Sequence, residues 1–156
     1  MALEIERKFL VKSEDWKIGA KGVAFRQGYL SRSPQQTVRI RIAGEKAFLT
    51  IKGLRSKISR LEFEYEIPLA DAAEMLNLCV GPLIEKTRFE ILHGGKTWEV
   101  DEFHGDNAGL IVAEIELNAE DESFLLPDWI GEEVSDDVRY FNSNLAVSPF
   151  STWKRP

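Results

Sequence analysis

Alternation of apolar and charged residues is the dominant pattern along the chain. Residues 60–67 alternate without interruption, and residues 38–42 do the same. Because successive side chains of a β-strand point to opposite faces, this period predicts strands with one apolar and one charged face. Eight segments carry the pattern and are predicted as strands: 4–11, 23–32, 38–42, 46–52, 60–67, 86–92, 97–103 and 110–117.

The segments between these strands are predicted as glycine-containing turns and short helices. Residues 43–45 and 93–96 carry the glycines of short turns and predict β-hairpins. Apolar residues at helical spacing predict a helix over 69–79. A short helix is predicted over 119–126, before a proline, and a third over 138–147, preceded by residues suited to an N-terminal cap. Strands outnumber helices, so the pattern predicts an α+β fold, mainly antiparallel β.

The charged face recurs on nearly every predicted strand. One such strand is unremarkable, since an antiparallel sheet commonly turns its polar face to water. Two architectures fit the whole set. An open sheet would pack its apolar face on helices, whereas a closed barrel would place charges inside and helices outside. A charged interior is costly unless acids pair with bases or with a bound ion. Alternation alone leaves both architectures open for the single domain predicted over residues 1–156.

The types of charge indicate what a barrel of this kind would bind. Clustered carboxylates suit a hard divalent cation. Clustered arginines and lysines suit phosphate groups. A polyphosphate carried with Mg²⁺ would satisfy both sets at once, so the charge pattern favours a small, highly charged ligand.

Composition narrows the class of protein further. The chain has 156 residues, 44% of them hydrophobic, which suits one domain with a substantial core. A net charge of −6 argues against nucleic acid as a partner. The single cysteine, Cys79, excludes an internal disulfide and a cysteine-based zinc site. No apolar run is long enough for a membrane-spanning helix, and the first residues lack a secretory signal pattern, so a cytoplasmic location is expected.

Short charged motifs recur along the chain, beginning with Glu4-Ile5-Glu6-Arg7-Lys8. This motif is similar to the Glu-x-Glu-x-Lys signature of the CYTH superfamily, the triphosphate tunnel metalloenzymes. The others follow in the family's order over about residues 3–147: Arg39-x-Arg41, Thr50-Ile51-Lys52-Gly53, Glu62-x-Glu64, Lys86-Thr87-Arg88, Asp101, Glu114-Ile115-Glu116 and Arg139-Tyr140-Phe141-Asn142-x-x-Leu145.

The resemblance implies an eight-stranded closed β-barrel, or tunnel, with a charged interior and helices packed outside. It implies roles for the charged motif residues, which are six bases and seven acids. The expected phosphate-binding residues are Lys8, Arg39, Arg41, Lys52, Lys86 and Arg88. The expected ligands of Mg²⁺ or Mn²⁺ are Glu4, Glu6 and Glu116, with Glu114 and Asp101 as further members. The expected catalytic residues are Glu62 and Glu64, either of which could activate water, with Lys8 and Arg41.

Within the superfamily, the short chain looks most like the small bacterial members that hydrolyse inorganic triphosphate. The resemblance therefore implies a metal-dependent hydrolase that converts tripolyphosphate to pyrophosphate and phosphate, acting as a monomer or homodimer without a nucleic-acid or membrane partner. Hydrolysis of nucleoside or thiamine triphosphates and an adenylyl cyclase reaction are the alternatives. A non-catalytic polyphosphate-binding module is a lesser alternative. Binding phosphate needs only the bases, so such a module would leave the acidic motifs without a role.

Overall fold

Antiparallel strands close into a barrel, which decides between the two architectures that the alternation left open. The computed structural model describes residues 3–56 and 58–153, so residues 1–2, 57 and 154–156 of the predicted domain lie outside the described residues. Within the described residues there are nine strands: β1 (Leu3–Val11), β2 (Gly22–Arg32), β3 (Gln36–Ala43), β4 (Lys46–Leu54), β5 (Ser59–Ile67), β6 (Val80–His93), β7 (Lys96–Phe103), β8 (Ile111–Leu117) and β9 (Ile130–Glu133).

The barrel closes through β1. The strand order is β5-β4-β3-β2-β6-β7-β8-β1, and residues 3–5 of β1 pair back onto β5. At its other end the same edge of β1 pairs with β9, a strand too short for the alternation to reveal. Between these two pairings the Lys8 backbone N–H donates to the Ser135 hydroxyl at 2.9 Å. The edge of β1 is therefore supplied with partners along its length, as a buried backbone requires.

The main apolar core lies outside the barrel wall. Trp98 and Val100 on β7 point outward and are completely buried. The Trp98 ring makes edge-to-face contacts with Phe9, Phe124 and Trp129 at centroid distances of 5.6, 5.9 and 6.0 Å. Aromatic rings packed in this way supply apolar burial and additional quadrupole attraction. The apolar faces of the strands therefore stabilise the fold from outside, while the charged faces look inward.

Helices are fewer and shorter than the sequence predicts. Helix α1 (Leu69–Met75) packs outside the barrel, as predicted, and continues into a 3₁₀ turn. The helix predicted over 138–147 is divided, because Phe141 is extended between a 3₁₀ turn and α2 (Asn142–Leu145). The helix predicted over 119–126 is wrong. That segment is turn and irregular chain, and it places Phe124 edge-to-face against Trp98 of the aromatic core. None of the described helices is long and apolar enough to cross a membrane.

Both predicted hairpins are confirmed, and a bulge changes the alternation in β2. The β3–β4 and β6–β7 turns use positive φ at Gly44, Gly94 and Gly95, a conformation that glycine adopts without steric cost. In β2 the pairing with β3 slips between Tyr29 and Ser31. Such a bulge inserts one residue and reverses which side chains face inward beyond it.

An apolar plug fills one end of the barrel. Leu10, Phe103 and Val112 share the inward parity of the charged residues on their strands but lie at the strand ends opposite the hairpins. They cluster with Leu145 and Ala146 of the chain's closing segment, which crosses this end. The charged part of the interior is therefore bounded at this end by apolar side chains and α2.

Candidate active site

The barrel interior holds a cavity of about 890 Å³. Its wall is formed mainly by the inward positions of the strands, so the alternating pattern sets its chemistry. The predicted interior residues that line it are Glu4, Glu6, Lys8, Arg39, Arg41, Lys52, Glu62, Glu64, Lys86, Arg88, Glu114 and Glu116. The remaining predicted residue, Asp101, is buried behind two of them, Lys86 and Arg88, and contacts both.

Asp101 anchors the two bases of β6. Its Oδ1 accepts from Arg88 Nε and its Oδ2 from Lys86 Nζ, each at 2.7 Å. Burial alone would raise the pKa of Asp101, but Arg88 and Lys86 outweigh burial and lower it to about 2. Lys86 stands between this carboxylate and two arginines. Burial, reinforced by Arg88 and Arg41, lowers the pKa of Lys86 to about 7. An anion in the cavity would stabilise its charged form.

The two arginines of β3 have fewer acidic partners than Arg88 of β6. Arg41 Nε donates to the neutral Gln27 Oε1 at 2.8 Å, and no described carboxylate forms an ion pair with it. Burial, followed by the charges of Arg39 and Arg88, lowers the pKa of Arg41 to about 9. Arg39 stands 3.7 Å from the Glu64 carboxylate, but its buried Nε has no hydrogen-bond partner. These guanidinium groups have donors available for phosphate oxygens.

Two lysines are held by carboxylates of other strands. Lys8 Nζ donates to Glu114 Oε2 at 2.7 Å, and Lys52 Nζ donates to Glu4 Oε1 at 2.8 Å. Burial alone would lower the pKa of Lys8, but Glu114 and Glu6 outweigh burial and raise it. Burial alone would raise the pKa of Glu4, which Lys52 lowers overall. Both pairs therefore favour the ionised forms.

Burial and neighbouring acids disfavour the ionised form of the remaining carboxylates. Residue pairing between β1 and β8 places Glu6 directly opposite Glu116, and Glu4 lies two residues from Glu6 on the same strand face. Burial, then Glu114 and Glu4, raises the pKa of Glu6 to about 8. Burial and Glu4 also raise the pKa values of Glu62 and Glu116. A cation near these oxygens would stabilise their ionised forms.

Comparison with known proteins agrees with this geometry. The model of the CYTH domain matches residues 2–150. The chain belongs to the CYTH family. An inorganic triphosphatase of Acetivibrio thermocellus is 51% identical to this CYTH chain over 155 residues, covering 99% of each protein. An inorganic triphosphatase of Nitrosomonas europaea is 38% identical over 151 residues, covering 93% of this chain and 97% of the relative.

A solved structure shares the barrel. The crystal structure of the inorganic triphosphatase NE1496 superposes on the CYTH chain with a TM-score of 0.67 at 36% identity. The match covers 95% of this chain and 97% of that one. The expected superfamily and the tunnel fold are thus both confirmed, whereas the roles of individual site residues stay predictions.

The acidic side of the CYTH barrel fits a hard divalent cation by its donor chemistry. Glu6 lies among carboxylates that raise its pKa, and oxygen donors of this kind are those that Mg²⁺ and Mn²⁺ prefer. Among the described residues, no group of three acidic, histidine or cysteine side chains is arranged to hold an ion. Lys8 and Lys52 occupy two of the carboxylates instead. The donor set therefore fits a metal ion, although its side chains are turned to the lysines.

Several residues that contact the bases of the CYTH site are uncharged. Gln27 is fully buried beside Arg41, and Asn142 of α2 accepts from Lys86 Nζ at 2.8 Å. Phe25 on β2 lies with its ring centroid 4.8 Å from the guanidinium carbons of both Arg41 and Arg88. Phe25 and Gln27 are two residues apart on β2 and therefore share one strand face. The place of Asn142 depends on how the closing segment docks, which alternation does not reveal.

The raised pKa of Glu6 predicts an unusual pH dependence of stability. The folded state holds the Glu6 proton up to about pH 8, whereas a glutamate of the unfolded chain has its ordinary pKa of about 4.5. Raising the pH across this window therefore lowers the free energy of unfolding. In metal-free buffer we expect Glu6→Gln to raise that free energy at pH 9 by on the order of 1 kcal/mol or more, with the gain vanishing near pH 4.5.

Denaturant unfolding with EDTA at pH 4.5, 7 and 9 measures this effect. The matched control is Glu66→Gln, since Glu66 is an exposed glutamate of β5 outside the cavity lining. It should show no gain that grows with pH. An equal gain for Glu6→Gln at all three pH values would show that Glu6 ionises in the folded state as it does in the unfolded chain.

Proposed function

We propose that the protein hydrolyses inorganic triphosphate to pyrophosphate and phosphate, with Mg²⁺ or Mn²⁺ as the required ion. The observation that carries the proposal is the opposite electrostatic imbalance of the two sides of the cavity. On the basic side, the pKa values of Lys86 and Arg41 are lowered, and on the acidic side that of Glu6 is raised. A bound triphosphate would stabilise the charged forms of the bases, and a divalent ion would stabilise the charged form of Glu6. The naming of both relatives as inorganic triphosphatases supports this substrate.

The bases would bind the phosphate chain and fix its direction. Triphosphate carries several negative charges that repel an attacking water, and neutralising and positioning them is the main work of phosphoryl-transfer catalysis. Arg39 and Arg41 would bind through planar forks, whereas lysines act as point charges. The proposed phosphate-binding set is Lys8, Arg39, Arg41, Lys52, Lys86 and Arg88.

The metal ion would be held at the acidic side, by Glu4, Glu6 and Glu116. When bound, the ion supplies Lewis-acid stabilisation of phosphate oxygens. Glu114 and Asp101 are the further members of the predicted metal set. Both already have their oxygens on Lys8, Lys86 or Arg88, so we assign them the role of holding those bases in place.

Hydrolysis also requires a group that takes a proton from water. Burial and Glu4 raise the pKa of Glu62, which brings this carboxylate closer to the range in which a general base works best. Glu64 accepts from the Thr50 hydroxyl at 3.1 Å and is the alternative base. The water oxygen would bond to a terminal phosphorus as the bond to the bridging oxygen breaks. The electron pair of the breaking bond would stay on the bridging oxygen, which leaves as part of pyrophosphate. Lys8 and Arg41 would stabilise the negative charge on this leaving group.

The test is incubation with tripolyphosphate, ATP and thiamine triphosphate, each with Mg²⁺, Mn²⁺ or EDTA. Release of phosphate and formation of cyclic AMP are followed together. We expect tripolyphosphate to be the fastest substrate and EDTA to stop its turnover. Faster turnover of ATP or thiamine triphosphate would identify an organic triphosphatase instead. Conversion of ATP to cyclic AMP would identify a cyclase, and binding without any turnover would identify a polyphosphate-binding module.

A further inference from the structure

A side-chain amide from the closing segment reaches into the charged interior. Asn142, the first residue of α2, places its Oδ1 2.8 Å from Lys86 Nζ and 3.1 Å from Gln27 Nε2. These two partners lie on β6 and β2, which are adjacent strands. Asn142 therefore joins the basic strands of the wall to the segment that crosses the end of the barrel.

The direction of every hydrogen bond in this group is fixed by chemistry. A lysine ammonium can only donate, so the Asn142 atom facing Lys86 must be the oxygen. Arg41 can likewise only donate, so its partner on Gln27 is Oε1 and the Gln27 amide nitrogen is left to donate to Asn142. One amide oxygen thus accepts from Lys86 and from Gln27, and Gln27 in turn accepts from Arg41.

This arrangement determines where Lys86 can point its remaining hydrogen. The ammonium has three N–H groups, of which Asp101 and Asn142 each accept one. The Lys86 side chain is fully buried at the wall of the cavity, so these two acceptors fix how its ammonium is turned relative to the cavity. Without the Asn142 acceptor the ammonium could rotate about its stem, and a buried donor would be left unpaired.

The same amide holds Arg41 through Gln27. The Arg41 Nε is used by Gln27, which leaves the two terminal nitrogens of the guanidinium on the cavity side. Gln27 itself is fully buried, and its amide is held at both ends by Arg41 and Asn142. A single residue of the closing segment therefore sets the orientation of two bases that approach the cavity from different strands.

We propose that Asn142 is a positioning residue, which orients Lys86 directly and Arg41 through Gln27 for the phosphate chain of the substrate. The proposal rests on the proposed function for its substrate and deepens it. Attraction between a cation and a phosphate tolerates small rotations, whereas stabilising the transition state requires aligned donors. Asn142 should therefore contribute more to kcat than to KM.

Two substitutions at this position separate the roles. Asn142→Ala removes the acceptor, and we expect kcat for tripolyphosphate to fall on the order of 10-fold or more with KM changed only about 2-fold. Asn142→Asp keeps an oxygen for both donors but adds a negative charge beside the phosphates. We expect its kcat to stay nearer the unchanged value while KM rises. Asn142→Ala should thus lose activity mainly through kcat, and Asn142→Asp mainly through KM.

The control addresses docking of the closing segment. Asn107 lies outside the charged cavity, and its Oδ1 accepts from the Phe150 backbone N–H at 2.8 Å. Asn107→Ala should weaken the attachment of this segment and lower the melting temperature without the kcat loss. If Asn142 were only structural, Asn142→Ala and Asn142→Asp would show one shared loss that follows melting temperature, as Asn107→Ala would.

The outcomes distinguish this proposal from the proposed function. If the unchanged protein does not hydrolyse tripolyphosphate, the proposed function is wrong, and the positioning role for this substrate fails with it. If the unchanged protein is active and Asn142→Ala retains its kcat, only the positioning role is wrong. A lowered kcat for Asn142→Ala beside a raised KM for Asn142→Asp, both at full folded content by circular dichroism, supports it.

Discussion

Glu6→Gln and Glu116→Gln are each expected to abolish most phosphate release from tripolyphosphate while the barrel stays folded. The two residues lie opposite each other on β1 and β8, and Glu4 is two residues from Glu6. Alternate residues on one strand face have Cα atoms about 6–7 Å apart, which allows their carboxylates to approach one ion. Replacing glutamate by glutamine keeps the shape and removes the charge that holds a hard cation.

The two losses should not multiply, because the residues are expected to act as one site. The double variant should lose little more than either single variant, as is found for residues that form a catalytic unit. Activity is measured as Mg²⁺ is titrated, with circular dichroism as the check on folding. Glu66→Gln on β5 is the matched control, and we expect near-normal turnover from it. Near-normal turnover of both single variants, or fully multiplicative losses, would contradict a shared metal site.

Arg41→Ala is expected to raise KM and lower kcat for tripolyphosphate. Among the described residues Arg41 has no ion-pair partner, so its charge is available to the substrate. Loss of one charge-assisted contact should cost about 1.5–3 kcal/mol, which corresponds to roughly 10- to 150-fold in kcat/KM. Arg39→Ala should act in the same direction. Full activity in either variant would show that the arginine concerned does not contact the substrate.

Two further substitutions sharpen the test of Arg41. Arg41→Lys keeps the positive charge but loses the planar fork, so we expect partial recovery of KM and little recovery of kcat. Arg26→Ala is the control, because Arg26 is an exposed arginine of β2, outside the cavity lining. A loss in Arg26→Ala equal to that in Arg41→Ala would indicate a general effect of net charge on substrate attraction.

The strands and their charged faces were predictable from the alternation, and the closed barrel was predictable from the motifs. Alternation in a segment such as 60–67 states which residues share a face, and the motif order indicated that this face looks inward. The resemblance, rather than the period, decided for closure. The structure agrees for Lys52 and Glu62, which are paired residues on β4 and β5 and both line the cavity.

Other features depend on contacts that no local pattern records. The segment 119–126 has helical composition, but packing of Phe124 on Trp98 outweighs a helix of barely two turns. Asn142 is a neutral residue whose role comes from the docking of the closing segment. The contacts of Gln27 depend on Arg41, a residue of the neighbouring strand. In each case the decisive partner is distant in sequence or on another strand, so propensity and period say nothing of it.

The bulge in β2 shows that the position of a residue along its strand decides whether it faces the cavity or the apolar core. Before the bulge, Tyr29 lines the cavity, and after it Arg32 does so although the two are an odd number of residues apart. A single inserted residue has thus moved one more cation to the cavity side. By the same rule, an insertion in the middle of β1 would reverse the facing of the residues beyond it, turning Lys8 into the apolar core and Phe9 into the cavity. Changes of strand length, more than changes of residue type, would therefore exchange the parts of the chain that fold the protein with those that bind its ligand.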